Sequence, residues 1–136
     1  MGLGFKSNPS GQGEGGAIQV NGIDVIQISE SGIENSVTTI AHADTVNLDF
    51  SDSSFKNHTV TSNFTYTTSN LSHGRKQVIR LMNTSGSSYN IIFPNDWTFV
   101  GSSEPSSIAA GKDALLEITC FGLNNASCLA EWRVEP

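Results

Sequence analysis

The chain has 136 residues, is 37% hydrophobic and 15% charged, and sets seven Lys plus Arg against thirteen Asp plus Glu. That length suits one compact domain with room for a short arm. A formal charge of -6 without a basic stripe argues against nucleic-acid binding driven by phosphate neutralisation. The one cationic cluster, Gly74-Arg75-Lys76 beside His73, reads as a solvated strand entrance. No window approaches the run of about 18 apolar residues that a membrane helix needs. No charged and then apolar secretory leader is visible, and Met1-Gly2 lacks the Ser or Thr of a myristoylation start because Lys6 stands there. The expectation is a soluble chain made without export.

Residues 1–16, "MGLGFKSNPSGQGEGG", hold six glycines and almost no apolar content. Such a segment buries too little surface to offset its ordering entropy and reads as an arm. Two alternating runs then flank Asn21-Gly22, a strong hairpin signal, so residues 17–34 are expected to form a β-hairpin. Ile23, Val25, Ile26 and Ile28 give its second strand apolar side chains on both faces.

Further candidate strands follow at short intervals: "VTTIA", "TVNLDF" with Val46, Leu48 and Phe50 alternating, and "HTVTSNFTY" with Val60, Phe64 and Tyr66. "KQVIRLMN" and "YNIIFP" flank "TSGSS" as an expected hairpin, and "WTFV", "ALLEITCF" and "CLAEWRV" complete the chain. "PSSIAAGKDALLE" tempts as a helix, but its glycine and surroundings predict a turn and then a strand. Phe93, Trp97, Phe99 and Val100 are expected to cap the core, with Pro94 closing a strand and Gly101 opening a loop. Many short strands joined by turn residues predict an all-β fold, an antiparallel β-sandwich or jelly roll over residues 35–136.

Signals for chemistry are few. Gly11, Gly13 and Gly16 match G-x-G-x-x-G, yet no strand precedes them and a hairpin follows, so the match is spurious. Asn57, Asn63, Asn70, Asn83 and Asn125 begin N-x-[ST] triplets, read as accidents of an Asn-, Ser- and Thr-rich chain. Asp44, Asp49 and Asp52 lack the spacing of a calcium loop. His42, His58 and His73 are scattered in polar contexts and read as exposed. Glu104, Asp113, Glu117 and Glu131 are the carboxylates available for acid–base work, but Glu117 and Glu131 fall on outward positions of alternating strands.

Cys120 and Cys128 flank one hairpin loop, where a disulfide is geometrically feasible. In a reducing cytosol they read as two small buried hydrophobes. Neither their spacing nor the histidines support zinc. No catalytic, cofactor or metal residue is assigned, and no enzyme is expected. Trp97, Tyr66, Tyr89 and Trp132 are the aromatic candidates for stacking on sugars, although alternation places Tyr66 and Trp132 toward the core.

The stretch from Lys76 to Val134 resembles a C-terminal β-domain of structural proteins of tailed bacteriophages. The residues that carry it are "VIRLMNTSGSSYNIIFPNDWTFVG", "SIAAGKDALLEITCFG" and "CLAEWRV"; "GGAIQVNGIDVIQISESGI" resembles a hairpin module of phage virion chains. The resemblance implies a non-enzymatic virion protein, usually a homotrimer. Lacking a fibre shaft, collagen-like repeats or coiled-coil heptads, the chain is expected to decorate the capsid surface as a cement protein, made in the host cytoplasm. Its partner would be the major capsid protein of the phage head, with Phe5, Lys6, Asn8 and Pro9 of the arm as anchor candidates. The alternative is the tip domain of a tail or head fibre, with a surface glycan as receptor.

Overall fold

The structure, a computed structural model, describes residues 36–136 throughout and, before them, the backbone of residues 16–20 and 23–28. The chain divides into two units, Met1–Glu34 and Asn35–Pro136. In the first, β1 (Gly16–Val20) and β2 (Ile23–Ile28) pair antiparallel, with Val20 opposite Ile23 and a register irregularity between Ile18 and Gln19. This is the pairing that Asn21-Gly22 predicts. The rest of the expected arm, and the facing of the β2 side chains, lie outside the described residues.

The second unit is all-β. Its first six strands are β3 (Val37–Ile40), β4 (Thr45–Asp49), β5 (Phe55–Thr59), β6 (Phe64–Ser69), β7 (Lys76–Met82) and β8 (Tyr89–Ile92). They are followed by β9 (Thr98–Phe99), β10 (Ser107–Ile108), β11 (Asp113–Cys120) and β12 (Cys128–Val134). One sheet has the order β10-β8-β6-β4 and the other β3-β5-β7-β11-β12-β9.

The antiparallel pairing expected between these strands is corrected by this order. Successive strands from β3 to β8 alternate between the two sheets, so neighbours within a sheet are two strands apart in sequence and run parallel. Parallel pairing needs a long return connection. Residues 41–54 supply one between β3 and β5, and the strand β4 that they contain pairs in the opposite sheet. The pairs β3–β4, β5–β6 and β7–β8 are three stacked coils, as in a short solenoid. Only β7–β11, β11–β12 and β8–β10 of this unit are antiparallel.

Two local expectations change for the same reason. "HTVTSNFTY" is not one strand: the chain leaves β5 and crosses to the other sheet before β6 begins. "TSGSS" does not close a hairpin, because β7 and β8 lie in different sheets. The buried Asn83 organises that crossing. Its amide donates to Ser87 O (2.8 Å), Ala109 O (3.0 Å) and Ile108 O (3.3 Å), and its Oδ1 accepts from the N–H and hydroxyl of Ser85.

Period-2 burial makes the core. Val46, Leu48, Phe64, Tyr66, Ile91 and Ile108 from one sheet join Ile79, Leu81, Leu116, Ile118, Cys120, Cys128 and Ala130 from the other in a single cluster. Phe93 is its aromatic hub, with ring centroids 5.1 Å from Phe99, 5.9 Å from Tyr66, 5.9 Å from Trp97 and 6.2 Å from Trp132. "FPNDW" therefore forms a corner of the core: Phe93 and Trp97 are buried, and the Trp97 N–H returns to Pro94 O. Val100, expected in that cap, is instead 42% exposed, because it follows β9 at the turn where Gly101 takes φ 80°.

Candidate functional site

Strand β5 places its polar residues on the inner face. Its burial alternates so that Lys56 and His58 point inward, continuing to the buried Val60 beyond the strand. In the parallel register His58 stands between Ile40 of β3 and Leu81 of β7, an apolar position taken by an imidazole. Phe64 packs edge-on against it with centroids 4.8 Å apart.

The buried imidazole is held by a chain of four side chains. Tyr66 Oη lies 2.6 Å from His58 Nδ1, His58 Nε2 lies 2.9 Å from His42 Nδ1, and His42 Nε2 lies 2.8 Å from Ser62 Oγ. Tyr66 is fully buried and, among the described residues, its hydroxyl has no partner but His58. A buried phenol needs an acceptor for its proton, so Tyr66 donates. His58 then carries its proton on Nε2 and donates to His42 Nδ1. His42 in turn donates from Nε2 to Ser62 Oγ, and the Ser62 hydroxyl points to Asn63 O at 3.4 Å. Every member is satisfied by this one direction.

Electrostatics follow burial. Desolvation, with His42 beside it, holds the His58 pKa down at about 4, and burial pushes the Tyr66 phenol well above its ordinary value. A serine, two histidines and a tyrosine in line suggest a nucleophile relay. The donor direction opposes that use: a base acting on Ser62 would have to accept at His42 Nε2, which is occupied by a proton. Nor do His42 and Ser62 line the cavity between β3 and β4, whose walls include Thr38, Ile40, Val46, Asp49 and Lys56. The chain of four side chains holds the two sheets together and neutralises polar groups inside the core.

His58 is thus the main residue that the polar look of the sequence hides, and its exposure is corrected to full burial. His42 is half-buried in the same network, and only His73 is exposed as expected. The available signal is the spacing: Lys56 and His58 share the period-2 phase of Val60.

The remaining candidates are dispersed. Asp49 Oδ1 accepts from the N–H and hydroxyl of Ser51 and from the Asn70 amide, which keep its carboxyl down at about 2. Asp52 takes the Lys56 ammonium at 3.3 Å, and Asp44 is exposed apart from them. Among the described residues no three His, Cys, Asp or Glu side chains are grouped to hold a metal ion. Glu117 and Glu131 do face outward as register partners, paired with Lys76 (3.9 Å) and Arg133 (2.7 Å), while Asp113 pairs with Arg80 (2.7 Å). Glu104 is exposed.

Of the aromatic candidates, Tyr66 and Trp97 are buried, and Tyr89 and Trp132 are half-buried against the core. Trp97 Nε1 donates to Asn125 Oδ1 at 3.1 Å, the same oxygen that takes the Thr68 hydroxyl. The arm residues Phe5, Lys6, Asn8 and Pro9 lie outside the described residues. Among the described residues, the large apolar side chains most open to solvent are Leu123 and Phe121, 69% and 64% exposed, both in the turn between β11 and β12. The chain matches no known family model and no curated protein sequence.

Proposed function

We propose that the protein is a non-enzymatic structural component of a tailed-phage virion that decorates the outer surface of the head. It would bind the major capsid protein through a glycine-rich arm that includes Phe5, Lys6, Asn8 and Pro9, with the two-sheet body projecting as a homotrimer. The carrying observation is how the polar chemistry is spent. Ser62, His42, His58 and Tyr66 satisfy one another, and the outward charges of β7, β11 and β12 pair locally. That is the economy of a scaffold. Within the stretch that resembles phage structural proteins, Asn83, Phe93 and Trp97 likewise serve a turn and a core corner.

The test is binding of the purified chain to heads that lack it, with and without residues 1–15. Saturable binding of the full chain, lost on truncation, supports the reading; equal binding by both forms removes the arm as anchor. No binding by either form removes capsid decoration.

A fibre tip that touches a host receptor is the second reading. Phe121 and Leu123, standing out at one turn, favour it. Adsorption of labelled protein to host cells, and not to heads, would select it.

A further inference from the structure

Cys120 ends β11, Cys128 begins β12, and the two are direct partners in the antiparallel register. Neither backbone amide bonds across to the other. The Cys120 N–H reaches Arg75 O at 2.8 Å, and the Cys128 N–H turns back to Asn125 O. The next pair outward carries the ladder bond, Phe121 N–H to Ser127 O at 2.9 Å. The cysteines therefore occupy a non-hydrogen-bonded pair, where opposed Cα atoms stand about 4.5 Å apart. That falls within the span of about 4.4–6.8 Å that a disulfide bridges. Both side chains point into the core, fully shielded, with their sulfurs in contact at 2.7 Å.

The turn beyond them is closely packed. A Cβ on Gly122 would meet Ser127 Oγ at 2.5 Å. The Asn125 side chain is tied to Thr68 and Trp97. The two strand ends are thus fixed from outside the pair, and the thiols are held opposite each other.

We propose that Cys120 and Cys128 are an oxidative modification site, at which a low-molecular-weight disulfide such as oxidised glutathione converts two thiols into a cross-strand disulfide. The assignment is independent of the capsid reading. In the first step one cysteine, as its thiolate, attacks a sulfur of the oxidant, forming a mixed disulfide and releasing one glutathione thiolate. The second cysteine, deprotonated in turn, attacks the protein sulfur of that mixed disulfide and releases the other. The protein loses two protons and two electrons; the oxidant gains both and leaves as two thiols.

Burial raises both thiol pKa values, that of Cys128 to about 12, so the folded chain holds little thiolate. Exchange then proceeds when the end of the hairpin opens or while the chain folds. The finished bond, enclosed in the core, resists reduction until it is exposed again.

The experiment uses the full chain, reduced, unfolded and refolded in a buffer of oxidised glutathione, then quenched with a maleimide in denaturant. The expected result is loss of both reactive thiols, a mass lower by about 2 Da, and one peptide linking Cys120 to Cys128. That bond should survive reduced glutathione in native buffer and yield to it in denaturant. A Cys120→Ser chain, lacking the second sulfur, should show neither the loss of about 2 Da nor the linked peptide. Two free thiols in the refolded wild-type chain would overturn the proposal, as would glutathione adducts on both cysteines or a disulfide between chains.

Discussion

Tyr66 and His58 meet inside the core through one hydrogen bond, Oη to Nδ1 at 2.6 Å, and that bond sets the proton on every later member of the network. Because the phenol donates, each imidazole accepts at Nδ1 and donates from Nε2, and the order ends at a half-buried serine. Tyr66→Phe keeps the ring against Phe64 and Phe93 but leaves His58 Nδ1 without a donor. The expected loss is about 1–3 kcal/mol, the cost of one orphaned buried acceptor, measured as a lower denaturant midpoint at unchanged slope. An unaltered midpoint would show that the network does not depend on the phenol.

The same burial gives the fold a pH dependence with a defined sign. His58 is held at about 4 in the folded chain, against 6.5 for the free side chain. Between those values the unfolded chain binds the extra proton, so stability rises with pH. The contribution is complete above about pH 6.5 and is lost as pH falls toward 4, amounting to about 3 kcal/mol. Asp49, held at about 2, and Asp52, also lowered, add to the slope only at the bottom of that window, where their carboxyls begin to protonate in the unfolded chain. Unfolding in urea at a series of pH values should show the decline, and His58→Gln should flatten it. Equal slopes in both proteins would assign the effect elsewhere.

The strands of the body were legible because period 2 survives in them: Val46 and Leu48 in β4, Tyr66 and Phe64 in β6, and the whole of β11 alternate cleanly. The pairing of β11 with β12 across their loop was legible as well, but the partners of β3 to β8 were not. An Asn-Gly pair announces a hairpin locally, but nothing in Val60–Asn63 or "TSGSS" announces a crossing, and Asn83 fixes its turn with the help of the Ile108 and Ala109 carbonyls. The choice of sheet is made by contacts between coils, which are distant in sequence. The network was hidden for another reason. His58 occupies an apolar phase with a polar side chain, and its partner His42 lies in a connection with no periodicity to read.

Asn83 is expected to be the most sensitive polar residue of the crossing from β7 to β8. Its amide serves three carbonyls and its Oδ1 accepts two bonds from Ser85. Asn83→Ala removes those donors while leaving the Ile108 and Ala109 carbonyls in place, at a cost of about 2–3 kcal/mol. Asn83→Asp should cost at least as much, since a carboxylate has no N–H to offer. Thermal or chemical unfolding of the pair decides it: an aspartate variant as stable as the parent would show that the carbonyls find other partners.

The aromatic corner separates a core role from a sugar-binding one. Phe93 touches four other rings and is buried, so Phe93→Ala should destabilise the fold by about 3–5 kcal/mol. Trp132 packs on Phe93 from the inner face of β12 but keeps part of its surface in solvent, and Trp132→Ala should cost less, about 2 kcal/mol. The ordering is the informative result. If Trp132→Ala left the melting point unchanged while abolishing retention on a glycan array, the ring would be a ligand platform and the fibre-tip reading would gain. A loss of stability in the expected order, with no glycan response from the parent, assigns both rings to the scaffold.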